Sequence, residues 1–385
     1  VSYQTAWLKA NHPVEFMAAV MNLDLHLTDK LATYVQECRR TGIEIAPPCV
    51  NRSEARFTVR EGRILYALGA LKNVGVEAMR LIVEARAEGP FAGLFDLARR
   101  VDLKAIGKRP LEMLARAGAL EALEPNRRRV FDGLDKLVEY SATLHAERAS
   151  AQVSLFGGDQ DALPPPRLPA PEDWLPMDRL REEHGAVGFY LSGHPLEDYA
   201  GPLRRKKVLT HAEFAARAAR GGASGRVAGT LAAVQYRKSA RGTRFAFLGF
   251  SDPTGTFEVM AFSDVLTAIE DHLAPGANLV LTVEAEGGDE GRLMLRRAEP
   301  IEGVIRDAAT SEIRIYVETA EALPSIRTRL AAAEGREGRG QVTLRLSLPD
   351  LDHEADLTLP GTHPTGPGLR GALKAVPGVL KVEEV

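Results

Sequence analysis

Between Asp159 and Pro176 the chain places Pro164, Pro165 and Pro166 in a row, then Pro169 and Pro171. Proline has a fixed φ and no N–H to donate, so such a run fits neither a helix interior nor a central strand. It must be extended, and it marks a boundary between folding regions. Just upstream stand Gln152, Val153, Ser154, Leu155 and Phe156, followed by Gly157 and Gly158. Two adjacent large apolar side chains in a segment with no core of its own read as anchors for a pocket on another protein. The bland alternative is that Leu155 and Phe156 pack back onto the preceding helix. Burying each is worth about 1.5 to 3 kcal/mol, part of which is lost in ordering the segment. Such a peptide binds usefully only where a second contact raises its effective concentration.

At 385 residues the chain should hold two to four domains, because single cores rarely grow beyond roughly 250 to 300 residues. Its 45% hydrophobic and 26% charged content is that of an ordinary soluble protein. No apolar run approaches the roughly 18 residues a membrane helix needs, and no signal peptide is visible, so a cytoplasmic protein without membrane contact is expected. The two cysteines, Cys38 and Cys49, form neither a disulfide framework nor a C-x-x-C spacing. They read as reduced and structural. The start at Val1, inside a helical pattern and without Met, reads as a piece of a longer polypeptide.

The net charge of -3 conceals local imbalance. Leu203 to Arg244 carries eleven basic residues and one acid, whereas Ala298 to Val385 carries ten basic and fourteen acidic. The first block reads as a surface for phosphates and the second as one for protein, although a basic run is often only solvated surface.

Apolar spacing predicts helices from Tyr3 to Met21, interrupted at Asn11-His12-Pro13, and from Thr28 to Arg40, capped by Thr28 or Asp29. Ile43 to Pro48 should be extended. Gly69 to Arg86 then joins two short apolar helices through Asn73-Val74-Gly75, and Asp102 to Leu123 repeats the pattern around Ile106-Gly107-Lys108-Arg109. In a helix-hairpin-helix such a turn lets backbone N–H groups approach a DNA phosphate. Asn73 stands where glycine is usual, and asparagine tolerates the left-handed conformation better than most residues. Lys72, Asn73, Gly75, Gly107, Lys108 and Arg109 are therefore the candidate contacts to duplex backbone, and Arg99 to Arg129 adds nine basic residues against four acids. An ordinary helical packing unit would share much of this pattern. Asn126 to Arg148 follows as one long amphipathic helix.

Beyond the proline run, His184 and His194 invite a metal or acid/base reading, but no third ligand stands at a fitting spacing. They read as structural. Strands are predicted at Arg226 to Tyr236, Arg244 to Asp252, Gly255 to Phe262, Asn278 to Glu286 and Arg292 to Pro300, with a helix at Ser263 to His272 after the third. That is the order of an OB-fold, which commonly binds single strands on its second and third strands. Arg226, Tyr236, Arg237, Lys238, Arg244 and Phe245 are the candidate single-strand contacts. Phe245 and Phe247 share parity, and at least one of them is expected in the barrel core. Ser311 to Val385 should form a small α+β unit with strands at Ile313 to Thr319, Gln341 to Ser347 and Ala355 to Leu359, and a last strand after Pro377.

The opening stretches Tyr3-Gln4-Thr5-Ala6, Leu8-Lys9-Ala10, Pro13-Val14-Glu15-Phe16-Met17-Ala18-Ala19 and Pro47-Pro48 with Val50-Asn51 resemble the end of the fingers region of family C, the bacterial replicative DNA polymerases. Gln-x-Ser-Leu-Phe at 152–156 resembles the peptide with which that family binds the sliding clamp, its beta subunit. Glu182-Glu183-His184-Gly185 and Gly188 to Leu196 resemble the segment the family places between clamp peptide and OB domain. The resemblance implies a multidomain α+β chain: fingers end at 1–65, tandem hairpins at 66–150, clamp peptide and linker at 151–178, a helical connector at 179–224, an OB-fold at 225–302 and a C-terminal α+β domain at 308–385. By position, that last domain matches the region with which the family binds the tau subunit of its clamp loader. The resemblance also implies polymerisation by two magnesium ions held on palm carboxylates. No such carboxylate cluster is seen here, so catalytic and metal residues are expected to be absent and the chain to be a non-catalytic binding part of a larger enzyme. The rival readings are a stand-alone DNA-to-clamp adaptor, a nuclease or ligase subunit, and an error-prone relative within the same family.

Overall fold

Proline at position 13 sets the first boundary, since its fixed φ and missing N–H suit the start of a helix. α1 (Ser2–Asn11) ends just before it and α2 (Pro13–Leu23) begins on it. The computed structural model describes residues 2–151, 163–221, 223–239, 242–285, 292–305, 312–333, 339–348 and 353–384. The Gln152–Phe156 peptide lies outside the described residues. The chain divides into two units, Val1–Trp174 with Asp178–Ser192, and Leu175–Met177 with Gly193–Val385.

In the first unit α3 (Thr28–Arg40) starts without a side-chain cap, because Leu27 rather than Thr28 or Asp29 occupies the N-cap. A small sheet follows, β1 (Ile45–Ala46), β2 (Thr58–Arg60) and β3 (Arg63–Leu65), in the order β1-β3-β2. Then come α4 (Val76–Ala85), α5 (Leu94–Arg100), α6 (Leu103–Ile106), α7 (Lys108–Arg116) and the long α8 (Arg127–Ala151). One core runs through all of these, from Met17, Leu31 and Val35 through Ile64, Tyr66 and Ile82 to Leu114, Val130 and Leu134. The segments 1–65 and 66–150 are therefore packed as one body.

The proline-rich stretch is extended as its composition requires, and it is docked. Residues 163–174 run back along α8: the Lys136 Nζ donates to the Arg167 carbonyl at 2.9 Å, the Asn126 amide to the Pro171 carbonyl at 2.8 Å, and the Arg128 N–H to the Asp173 carboxylate at 3.2 Å. Trp174 packs its ring on Phe131, 5.6 Å between centroids. α9 (Pro176–Val187) then brings Glu183 into the first core. Its buried carboxylate accepts from the N–H groups of Leu191 (2.9 Å) and Ser192 (2.8 Å), which satisfies a charge that burial would otherwise penalise.

The second unit opens with α10 (Ala200–Arg205) and α11 (His211–Ala218), the latter started by a capping box of Thr210 and Glu213. Five strands then close into a barrel: β4 (Ser224–Lys238), β5 (Arg244–Asp252), β6 (Gly255–Phe262), β7 (Asn278–Ala285) and β8 (Leu293–Pro300), in the order β4-β5-β6-β8-β7. α12 (Ser263–Ile269) follows the third strand, and β6 pairs with β8 in parallel. This is the OB-fold arrangement. After α13 (Ile301–Ile305) comes a four-stranded sheet of order β12-β11-β9-β14, formed by β9 (Ile313–Val317), β11 (Val342–Leu348), β12 (His353–Thr358) and β14 (Val379–Glu384). α14 (Leu323–Ala332) and α15 (Pro367–Lys374) supply Ile326, Leu330, Leu369 and Leu373 to its core. A short pair, β10 (Arg339–Gly340) with β13 (His363–Pro364), stands beside it.

Candidate nucleic-acid interface

The first hairpin turn lies between a single 3-10 turn, Leu68–Ala70, and α4. Asn73 is left-handed at φ 59°, the conformation expected of it, while Gly75 keeps φ -89° as the uncapped N-cap of α4. Nothing lies within 4 Å of where a Gly75 side chain would begin, so that wall of the turn stays open to an approaching group. Lys72 and Asn73 are exposed, and the Lys72 N–H is pinned to the Ala186 carbonyl at 2.8 Å. The positive charge on Lys72 also reaches His184, whose pKa is lowered chiefly by burial and secondarily by that lysine.

The second turn is sharper. Asp102 caps α6 by accepting from the N–H groups of Lys104 (3.0 Å) and Ala105 (3.3 Å), and Gly107, at φ 90°, separates α6 from α7. Such a φ strains any residue with a Cβ, so this glycine is required by the turn. Lys108 and Arg109 are both exposed at the start of α7. They are not equivalent, because Lys108 is bound to the Asp135 carboxylate at 2.7 Å, which raises its pKa.

The barrel divides the predicted single-strand residues between two faces. Along β5 the buried apolar residues are Ala246, Leu248 and Phe250, so the alternation of a strand turns Phe245 and Phe247 outward. The expectation that at least one of these rings fills the core is thereby corrected: the core parity belongs to Phe250 and its neighbours two and four residues before it. On the outer face Phe245 lies opposite Arg237 on β4 and opposite Phe262 on β6. Its ring centroid is 5.6 Å from that of Phe247 and 6.2 Å from that of Phe262, which is 45% exposed. Gln235 and Met260 flank Phe247 in the next row.

Tyr236, Lys238 and Arg244 have the other parity and stand together at the end of the β4–β5 ribbon. The Arg244 guanidinium lies 4.6 Å above the Tyr236 ring and donates to Glu270 at 2.8 Å. Arg226 does not join either group. It lies ten residues before Tyr236 on β4 and pairs with Thr282 of β7. Phe247, Phe262 and Met260 were missed as candidates from the sequence. The signal was available in the spacing of Ala246, Leu248 and Phe250, which fixes the inward parity, and in the register that sets Phe262 beside Phe245.

His194 is buried, with Nε2 3.1 Å from the Ser251 hydroxyl and Nδ1 accepting from the Leu196 N–H at 3.2 Å. His184 packs against Tyr190 in a tilted arrangement, 4.7 Å between centroids. Among the described residues no group of three His, Cys, Asp or Glu could hold a metal ion. Among the same residues no helix is long and apolar enough to cross a membrane.

Exposed hairpin turns beside lysine and arginine, together with an OB-fold barrel that carries aromatic rings on its outer face, make up the class of helix-hairpin-helix and OB-fold proteins. A helix-hairpin-helix motif family matches residues 42–130. The chain is 44% identical to the DNA polymerase III subunit alpha of Caulobacter vibrioides over 388 aligned residues, which cover all of this chain and 34% of that protein. It is 35% identical to the proteins of the same name from Pseudomonas fluorescens, covering 83% of this chain and 29% of that one, and Pseudomonas aeruginosa, covering 92% and 32%. This chain belongs to the family of bacterial DNA polymerase III alpha subunits and spans about a third of the length of the curated relatives it matches. Among solved structures, the second OB-fold domain of replication protein A from Methanococcus maripaludis is similar to 21% of this chain and covers 85% of its own, at 15% identity and a TM-score of 0.18. The OB-fold assignment rests on the strand order of the barrel itself.

Proposed function

We propose that this chain is the C-terminal, non-catalytic part of a replicative DNA polymerase, and that it holds DNA while chemistry takes place elsewhere in the parent protein. The hairpin turns grip duplex backbone without reading sequence, through Lys72, Asn73 and Gly75 at the first turn and Gly107, Lys108 and Arg109 at the second. The barrel holds single-stranded template on its outer face, with bases stacked on Phe245, Phe247 and Phe262 and phosphates tracked by Arg237. The observation that carries this reading is the row Arg237, Phe245, Phe262, in which two aromatic rings and a cation lie side by side outside the core. Each base stacked on such a ring is worth about 1 to 3 kcal/mol.

The Gln152, Ser154, Leu155 and Phe156 peptide is proposed to bind the sliding clamp. It follows α8 and precedes the docked strap, so both of its attachments belong to the hairpin unit. The C-terminal unit carries exposed Leu357 and Leu380, and is proposed to bind a protein partner, with the clamp loader's tau subunit the candidate by position. The parent's magnesium and its carboxylate ligands are assigned to the remaining two thirds of the relatives' length, and this chain alone is expected to polymerise nothing.

The test for the DNA reading is titration of the chain with labelled single strand and duplex of one sequence. Binding of both, with the single-strand arm lost in Phe245→Ala, Phe262→Ala, supports it, and an unchanged single-strand arm contradicts it. For the clamp, calorimetry against purified clamp should show binding that a Leu155→Ala, Phe156→Ala variant lacks. Equal binding by both proteins would return those side chains to ordinary packing.

A further inference from the structure

Beside the first hairpin turn lies a cleft whose lining includes Lys72, Asn73, Val74 and Gly75 from the turn, together with His26 from the connection between α2 and α3 and Thr28, the first residue of α3. None of the residues lining this cleft is acidic. The nearby acid of the connection, Asp24, is engaged elsewhere, with the Lys30 ammonium at 3.0 Å and the Tyr34 hydroxyl at 2.6 Å. Lys72 thus shares the cleft with the hydrogen-bonding side chains of His26 and Thr28, and no carboxylate lines it.

The two walls come together over Gly188. Its φ of 98° and its position leave no room for a side chain: a Cβ there would strike the Thr28 methyl and would lie 2.7 Å from the Lys72 Cε. Three separate pieces of the chain thus meet at this point, and the Lys72 N–H bond to the Ala186 carbonyl fixes the turn against the third.

We propose that His26 and Thr28 complete a phosphodiester-binding cleft with Lys72, so that the α2–α3 connection and the first residue of α3 grip the same duplex backbone as the first hairpin. The ligand is one phosphate of double-stranded DNA, contacted from one side by the hairpin and from the other by an imidazole and a hydroxyl. This inference rests on the duplex reading of the hairpins and adds to it two residues outside the hairpin motif.

The experiment measures affinity of the full chain for a short DNA duplex and for the single strand of the same sequence, with parent, His26→Ala, His26→Gln, Thr28→Val and Lys72→Ala proteins. Thr28→Val keeps the methyl against Gly188 and removes only the hydroxyl, and thermal unfolding of each variant checks that the fold is kept. His26→Ala and Thr28→Val should each weaken duplex binding about fivefold, the size of one neutral hydrogen bond, with His26→Gln recovering part of the loss. Lys72→Ala should weaken binding and also lower the salt slope by about one. If Lys72→Ala weakens duplex binding while His26→Ala and Thr28→Val bind like the parent, the second wall is idle and the inference is overturned although the hairpin reading stands. If Lys72→Ala has no effect either, the reading of the first hairpin fails and the inference with it. A loss seen only on single strand also overturns the assignment.

Discussion

The hairpin turns and the barrel face both hold their proposed DNA contacts outside the hydrophobic cores, but they do so by opposite means. At the hairpins the backbone does the shaping: a left-handed residue, Asn73 or Gly107, ends one helical element, and Lys72, Lys108 and Arg109 stand exposed beside the turn. At the barrel the backbone is a regular closed sheet, and the proposed function lies in which side chains alternate outward, Phe245, Phe247 and Phe262 beside Arg237. The first arrangement suits a ligand recognised by charge and regular phosphate spacing, whose binding falls steeply with salt. The second suits unstacked bases, for which aromatic surface contributes energy that salt screens far less.

The largest effect that would sharpen this contrast is expected from Phe245→Ala, Phe262→Ala. At about 1 to 3 kcal/mol per stacked base, single-strand affinity measured by anisotropy should fall at least tenfold. The barrel should keep its thermal midpoint, because neither ring belongs to its core. A folded variant that binds single strand as before would break the contrast.

Next in size is Gly107→Ala, which places a Cβ at φ 90° and should cost roughly 1 to 2 kcal/mol. Denaturant unfolding followed in the hairpin unit, with duplex binding alongside, reads the result. An unaffected transition would mean that the turn relaxes freely. A smaller change is expected at the two cations that follow. Arg109→Ala should lower the duplex salt slope by about one, and Lys108→Ala by less, because Asp135 already partners that lysine. Asp135→Asn should correspondingly raise duplex affinity by up to about fivefold, the range of an exposed ion pair. Equal slopes for the two cation variants would show that Asp135 yields Lys108 at no cost.

The smallest effect is a dependence on pH. His184 in the hairpin unit and His211 in the barrel unit both have pKa values lowered by burial; His211 is stacked on Phe257 at 4.6 Å. The folded state then binds fewer protons than the unfolded one, so stability rises with pH. The contribution is complete above the ordinary imidazole value near 6.5 and is lost as pH falls through and below it. Thermal midpoints should drop between pH 7.5 and 5.5, and His211→Phe should flatten the barrel's share.

Much of this fold is legible in the chain. Pro13 marks a helix start, Asn73 and Gly107 mark the turns, and the alternation of the barrel strands gives their limits to within a residue or two. What the sequence conceals is mostly relation between distant residues. Lys108 looks like a free cation until α8 brings Asp135 beside it. Arg226 and Arg237 belong to one strand, yet only the barrel shows that its length keeps them apart. Phe262 gains its meaning from a register with Phe245 that needs both strands in place. The proline run reads as extended, but its docking on α8 depends on Trp174 meeting Phe131 and on backbone groups that composition does not reveal.

The central claim, that the hairpins hold duplex and the barrel holds single strand by different physics, is tested most directly by one crossed titration. Parent, Lys72→Ala with Arg109→Ala, and Phe245→Ala with Phe262→Ala would each be titrated with duplex and with single strand over a range of salt. The account predicts that the first variant loses duplex affinity and salt slope but keeps single strand, while the second does the reverse with its salt slope nearly intact. Parallel losses on both ligands by both variants would contradict it, because they would show one shared binding surface in place of two.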